Sequence, residues 1–362
     1  REGDQTVNEK QFRNKVTWFS FAFSLLVIWQ HSYNAQLFLG MTEGMEQVYR
    51  AEHAIGDLLG QVAVPGFFMI SGYLFYRNFG SGEEWRDTLA GKWRRRIRSV
   101  LVPYILWNFL YYLGYVVASR LPWVRDVVGK GTIPFTVESA VDAVLHYTYN
   151  YVFWYLYQLI LLILLAPLLY PVLKRCWSRW LFLFVAWCLV LMNVNLPLLN
   201  EDALVYYATA AAVALGGGAA RERHGGIPVA EQEGSRGSGM IGAAMLLLAV
   251  LTYWCGLRFA YVPGFVLCRV LAVSGLWLAV PGERLPRTRD FMRNNFFLYA
   301  VHFAIVRLIN KVGARLIPAT GWEPFALYLL MPFLALAVST CLARILKRRV
   351  PLLWRLLNGG RN

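Results

Sequence analysis

Ten apolar stretches, each about 17–22 residues long and set between clusters of charge, constrain this chain more than any other feature. A helix of roughly 20 apolar residues is long enough to cross the ~30 Å hydrocarbon core of a bilayer. The stretches read as 16–37, 56–76, 99–119, 149–170, 179–197, 203–220, 240–256, 262–280, 292–312 and 325–345. They predict an all-α, polytopic membrane helix bundle of about ten transmembrane helices, forming one domain over residues 1–362. Composition agrees: 57% of residues are hydrophobic and only 16% are charged, against about a quarter charged in soluble domains. Several stretches contain Pro or Gly, which membrane helices tolerate.

Loop charge predicts the orientation. With the N-terminus inside, and span-edge residues counted with the adjoining loop, the inside segments carry 27 Lys and Arg and the outside segments 7. That bias places both termini in the cytoplasm. Lys10, Arg13 and Lys15 precede the first apolar run and no A-x-A cleavage pattern follows it, so this helix is expected to remain as an anchor. The formal net charge of +15 sits at the ends of apolar runs, where it meets lipid headgroups, and forms no stripe suited to nucleic acid. Cys176, Cys188, Cys255, Cys268 and Cys341 show no CxxC pairing and are expected to be small buried hydrophobes. The polar, Gly-rich segment 221–239 reads as a mobile cytoplasmic linker between the first six helices and the last four. No internal repeat marks an inverted-repeat transporter.

Ionisable residues within a membrane are costly and mark function by default. His31 stands about 15 residues into the first stretch, roughly 22 Å from its inner edge. Ser20, Ser24 and His31 share one helical face, because eleven residues make almost three turns. A neutral imidazole suits a general base for a hydroxyl or a transient acyl carrier; a hydrogen bond between helices is the structural alternative. His302 lies near the middle of the ninth stretch, where a structural role is the simpler expectation. Arg269 and Arg307 fall in the outer half and should face the bundle interior, as salt-bridge partners or as an anion site. Arg94, Arg95, Arg96 and Arg98, with Trp93 beside them, lead into Pro103-Tyr104. They satisfy the inside-charge rule, and their forks also suit phosphates, with an adenine able to stack on Trp93. No P-loop, G-x-S-x-G, H-E-x-x-H or dinucleotide motif is present, and no metal is expected. Gly216-Gly217-Gly218 is expected to cap a helix or permit close packing.

Five strings together resemble the membrane acyltransferase family 3, which decorates bacterial sugars and envelope polymers. They are SLLVIWQHS ending at His31, VPGFFMISGYLF (Val64 to Phe75), RRRIRSVLVPYILWN (Arg94 to Asn108), FWYLYQLILLILLAP (Phe153 to Pro167) and FFLYAVHFAIV (Phe296 to Val306). The resemblance implies an O-acyltransferase of the bacterial cytoplasmic (inner) membrane. It would take an acyl-coenzyme A donor, acetyl-coenzyme A being the expected one, from the cytoplasm. The acceptor would be a hydroxyl on an envelope carbohydrate or lipid-linked glycan. His31 would act as base or acyl relay with His302 as a second catalytic residue. Arg94, Arg95, Arg96, Arg98, Trp93 and Ser71 would hold the donor, and Asn34, Trp154, Arg269 and Arg307 would line the acceptor side.

One departure stands out. The family places an arginine eleven residues before the histidine, where this chain has Ser20; Arg13, Lys15 or Arg77 are the candidate substitutes. The main alternative function is a transporter of a small polar or anionic solute, with Arg269 and Arg307 taking a carboxylate. A structural subunit held together by intramembrane polar groups is the third.

Overall fold

The computed structural model describes residues 2–79, 84–122, 124–125, 131–224, 236–259 and 261–361. Among the described residues there is no strand. The helices, in order, are α1 (Glu2–Gln30), α2 (Ala35–Leu39), α3 (Glu43–Leu59), α4 (Ala63–Tyr76), α5 (Trp85–Arg96) and α6 (Val102–Ala118). Next come α7 (Val137–Leu145), α8 (Trp154–Leu164), α9 (Ala166–Lys174), α10 (Cys176–Leu191), α11 (Glu201–His224) and α12 (Arg236–Phe259). The last five are α13 (Val262–Ala279), α14 (Asp290–Arg293), α15 (Asn295–Leu316), α16 (Glu323–Arg349) and α17 (Pro351–Leu357).

The ten apolar stretches are largely helical, but 16–37, 56–76, 149–170 and 292–312 each run over more than one helical segment. Six helical runs among the described residues are long and apolar enough to cross a membrane, or seven if α8 and α9, bent by 63° at their junction, make one span. Large apolar side chains point away from the protein, as with Phe184 (67% exposed) and Leu247 (69%), where only hydrocarbon can receive them without cost.

Four expectations are corrected. The stretch 16–37 is not one helix, since α1 stops at Gln30 and a non-helical segment follows His31. Gly216-Gly217-Gly218 does not end a helix: α11 runs on to His224. None of the five cysteines is buried, and Cys176, Cys255 and Cys341 are exposed on apolar helices, where a thiol is compatible with lipid. Residues 221–224 and 236–239 of the expected linker are helical, and 225–235 lie outside the described residues.

The chain forms two compact units that do not divide at that linker. The first comprises Arg1–Phe23, Gln61–Lys92 and Leu161–Met292; the second comprises Ser24–Gly60, Trp93–Ile160 and Arg293–Asn362. In the first, α4 lies against α11 so closely that a Cβ on Gly72 would collide with the Tyr207 carbonyl oxygen. The glycine of the Ser-Gly in the second stretch is therefore a packing requirement. Gly242 and Gly275 bring α12 and α13 together in the same way, a Cβ on Gly242 standing 2.8 Å from the Gly275 oxygen. Gly216 leaves room for the buried Arg179 guanidinium, which donates to the carbonyls of Leu173 (2.7 Å) and Lys174 (3.1 Å).

The second unit is organised around the interruption after His31. Leaving a helix inside a membrane exposes backbone donors and acceptors that lipid cannot satisfy. Here the Asn34 and Ala35 amides both donate to one oxygen of the buried Glu52 carboxylate on α3, at 3.1 and 3.3 Å. The Ser32 carbonyl accepts from the Asn310 side-chain amide (3.3 Å), and the Ser32 hydroxyl donates back to the Ile28 carbonyl (2.5 Å). Tyr328 on α16 donates to the Glu52 carbonyl (3.0 Å), tying α3 to α16.

Candidate functional site: a histidine pair in the second unit

The interruption puts His31 at the end of α1 rather than within it, so its imidazole is presented by a turn. His302 reaches the same place from the middle of α15, where it is fully buried. The two rings lie with centroids 5.6 Å apart. A 3₁₀ turn, Tyr151–Phe153, supports both histidines. The Tyr151 hydroxyl is 2.8 Å from His31 Nδ1. The next residue, Val152, accepts from the Tyr299 hydroxyl (2.6 Å), and the Tyr299 carbonyl is bonded by His302 Nδ1 (2.6 Å).

These bonds fix part of the proton arrangement. A carbonyl only accepts, so His302 Nδ1 carries the hydrogen, and in the neutral ring Nε2 holds the lone pair. That Nε2 is buried and has no hydrogen-bond partner among the described residues. His31 Nδ1 is engaged by Tyr151, which leaves its Nε2 as the atom available to a substrate.

Phe303 adjoins the pair, 6.2 Å from the His31 ring and 4.7 Å from Tyr151. It also borders a cleft of about 360 Å³ walled by Trp107, Tyr111, Tyr115 and Phe303, with Arg307 and Lys311 among its lining residues. Arg307 stacks over Phe303 (5.3 Å) and donates to the Tyr115 hydroxyl (3.0 Å). Tyr111 donates to the Ala300 carbonyl (2.9 Å) and accepts from the Ala304 amide (3.3 Å), fixing the wall to α15. Aromatic faces with a cation beside them suit a sugar ring or an anionic amphiphile.

The structure thus brings His31, His302 and Arg307 into one unit, with Asn34 nearby. Asn34 is buried and its amide donates to Asn310 (3.3 Å), so it helps hold the turn after His31. Trp154 begins α8 and is half-buried. Ser71 and Arg269 belong to the first unit. Arg269 is partnered there: it donates to Gln61 and to Tyr206 (3.4 Å) and pairs with Asp202 (3.7 Å). The arginine run belongs to the second unit except for the preceding Lys92, which donates to the Phe75 (2.5 Å) and Arg77 (3.1 Å) carbonyls of the first. Arg94 and Arg95 close α5, and Arg98 lies in a π-helical turn, Ile97–Leu101. All three are exposed, and none has an ion pair among the described residues; Arg96 and Trp93 are half-buried. Exposed guanidinium forks with no carboxylate to neutralise them fit phosphate groups.

The candidate substitutes for the arginine missing at Ser20 are engaged elsewhere in the first unit. Arg77 and Arg13 both pair with Glu9 (2.7 and 2.8 Å), Arg77 stacks on Phe12, and Lys15 lies over Trp277. Burial acts to raise the Glu9 pKa, but the bonds from Arg77 and Arg13 outweigh it and hold the carboxyl below its ordinary value. Sequence reasoning missed Tyr151, Tyr299 and Glu52. Tyr151 stands two residues before the string that begins at Phe153, and Glu52 meets the polar His-Ser-Tyr-Asn run only in space.

A multi-pass helical membrane protein with a histidine pair, His302 buried and His31 half-buried, next to an aromatic cleft is the class these features define. A family model described as an acyltransferase domain, that of acyltransferase family 3, matches residues 19–344, and the chain belongs to that family. No curated protein and no solved structure matches it.

Proposed function

We propose that this protein is an O-acyltransferase of the bacterial inner membrane, with about ten spans and cytoplasmic termini. It moves an acyl group, acetyl in the simplest case, from cytoplasmic acyl-coenzyme A to a hydroxyl of an envelope carbohydrate or lipid-linked glycan. The observation that carries the reading is the His31–His302 pair, held by Tyr151 and Tyr299 beside the cleft.

His31 is the base. With Nδ1–H donated to the Tyr151 oxygen, Nε2 is free to take the acceptor's hydroxyl proton. The acceptor oxygen then bonds to the thioester carbonyl carbon, the carbon–sulfur bond breaks, and the departing thiolate takes the proton that His31 acquired. His302, its Nδ1 fixed by a carbonyl, keeps a second lone pair next to the first ring. Arg94, Arg95, Arg96 and Arg98 hold the donor phosphates, and Arg307 and the cleft aromatics receive the acceptor. The transporter alternative has Arg269 and Arg307 bind a solute carboxylate, and the first of these is already paired. The ion pair of Arg269 with Asp202 supplies that carboxylate, which leaves Arg307 as the one arginine for a solute and weakens the alternative.

The test uses purified protein in nanodiscs with acetyl-labelled coenzyme A, following thioester loss and label transfer to a glycan mixture. His31→Ala should abolish transfer while the protein stays folded and inserted. Wild-type turnover in His31→Ala would remove the assigned base. Failure of the wild type to bind any acyl-coenzyme A would return the transporter to first place.

A further inference from the structure

The turn that carries Tyr151 also buries a side-chain amide. Asn150 is fully buried, and neither its Nδ2 nor its Oδ1 has a hydrogen-bond partner among the described residues. It stands at the N-cap of the 3₁₀ turn, where an Asn side chain ordinarily accepts from the backbone amides that follow. Here it makes no such bond. Backbone groups alone close the turn: Phe153 donates to the Asn150 carbonyl (2.9 Å), and the Asn150 backbone amide donates to the Tyr147 carbonyl (2.9 Å). An amide side chain buried without a partner is costly, so one held this way in a fold calls for a cause.

The neighbours of Asn150 tie it to the reaction centre. Tyr149 packs on Tyr115 (5.3 Å) and Tyr151 on Phe303 (4.7 Å), both walls of the cleft. Tyr151 also bonds His31 Nδ1, and Val152 accepts from Tyr299, whose carbonyl fixes His302. Asn150 is therefore carried by the turn that links the histidine pair to the cleft, its Cα about 4 Å from that of Tyr151.

The chemistry of the unpartnered atom selects its ligand. Asn34 Oδ1 and His302 Nε2, also buried and without a partner, are acceptors. Asn150 Nδ2 is the one side-chain amide nitrogen in that condition among the described residues, and it donates. A thioester carbonyl oxygen only accepts. When the acceptor oxygen bonds to the thioester carbon, the carbonyl π pair moves onto that oxygen, and it returns as the carbon–sulfur bond breaks. A fixed N–H in a buried site stabilises the charge in between. The acceptor hydroxyl, by contrast, gives its proton to His31 and has no need of a second donor.

We propose that Asn150 is an oxyanion donor: its Nδ2–H bonds to the thioester carbonyl oxygen of the acyl-coenzyme A and to the anion that forms there. The assignment rests on the acyltransferase reading. The experiment uses the full chain in nanodiscs with acetyl-coenzyme A and a glycan mixture. Wild type is compared with Asn150→Leu, a near-isostere without polar atoms, and with Asn150→Ala, which cannot overpack. Thioester loss gives kcat, and thermal unfolding gives the unliganded midpoint. Infrared difference spectra of acetyl-coenzyme A labelled with ¹³C at the carbonyl, bound to His31→Ala with and without Asn150→Leu, read the carbonyl stretch. Both substitutions should lower kcat by about 10²–10³-fold and leave donor affinity nearly unchanged. Asn150→Leu should hold or raise the midpoint, because it removes an unpaired buried group, and should move the stretch to higher wavenumber. A wild-type kcat in both variants, an unmoved stretch, or a fall in midpoint that accounts for the lost turnover would each overturn the assignment. The last is the signature of an amide that serves only packing or a buried water. If wild type neither binds nor cleaves acetyl-coenzyme A, the acyltransferase reading itself fails and the assignment goes with it; if wild type does both, only the Asn150 assignment is at stake.

Discussion

Tyr151→Phe isolates what one hydroxyl contributes to the proposed base. The substitution keeps the ring that packs edge-on against Phe303 (4.7 Å) and deletes only the group 2.8 Å from His31 Nδ1. The bond lost is a single neutral one on a half-buried imidazole, so stability should change by no more than about 1.5 kcal/mol. Turnover should change more. General-base catalysis contributes about 10²–10⁴-fold, and it depends on the imidazole presenting the correct nitrogen. Loss of the bond that selects the tautomer and ring orientation should forfeit part of that, roughly 10- to 100-fold in kcat, equivalent to about 1.4–2.7 kcal/mol of barrier. KM for the donor should hold, because Tyr151 is not among the phosphate-facing residues. The assay is acetyl transfer by Tyr151→Phe, His31→Ala and the double variant under one set of conditions. If Tyr151 acts through His31, the double variant matches His31→Ala alone. Additive losses, or a Tyr151→Phe enzyme with wild-type kcat, would refute the positioning role.

Glu52→Ala should lower stability by about 2–4 kcal/mol, because it strands two buried amides at once, while Glu52→Gln keeps one acceptor oxygen and should lose less; thermal unfolding in nanodiscs reads both. Gly72→Val should force α4 away from the Tyr207 carbonyl and cost about 1–3 kcal/mol, with Gly91→Val, which meets nothing within 4 Å, as the control for β-branching in a helix. Glu9 has a depressed pKa, so its contribution is present above the unfolded value of 4.5 and is lost as pH falls through the folded one. Glu9→Gln should therefore flatten the acid limb of the stability profile and leave pH 7 to 8 parallel to wild type, as followed by melting midpoint against pH.

What was legible in the sequence was whatever a local string carries. His31 at the end of an apolar run, the arginine run before Pro103, and the Ser-Gly of the second stretch are all one-dimensional patterns. The helix break was not legible, because Gln-His-Ser-Tyr-Asn contains neither Pro nor Gly. It is Glu52, in a segment read as a loop, that makes leaving the helix affordable. Of the two readings of the glycine triplet, the helix end fails and close packing holds: a helix in lipid keeps its hydrogen bonds through Gly, and what Gly216 provides is space for Arg179. The pairing of His31 with His302 joins positions 271 residues apart, and the Tyr151 contact lies 120 residues from His31. Such meetings are set by helix packing, which no periodicity encodes.

The non-helical segment after His31 also sets an order of assembly. Its two amides depend on Glu52, only 17 and 18 residues away, which emerges almost at once during synthesis. Its Ser32 carbonyl depends on Asn310, 278 residues later. At about 5–20 residues per second, that partner arrives roughly 14–56 seconds after the segment itself. The segment can therefore form with its two donors satisfied and one acceptor open. The histidine turn takes its final geometry only when α15 joins it, so a chain stalled before that helix would lack the His31–His302 pairing.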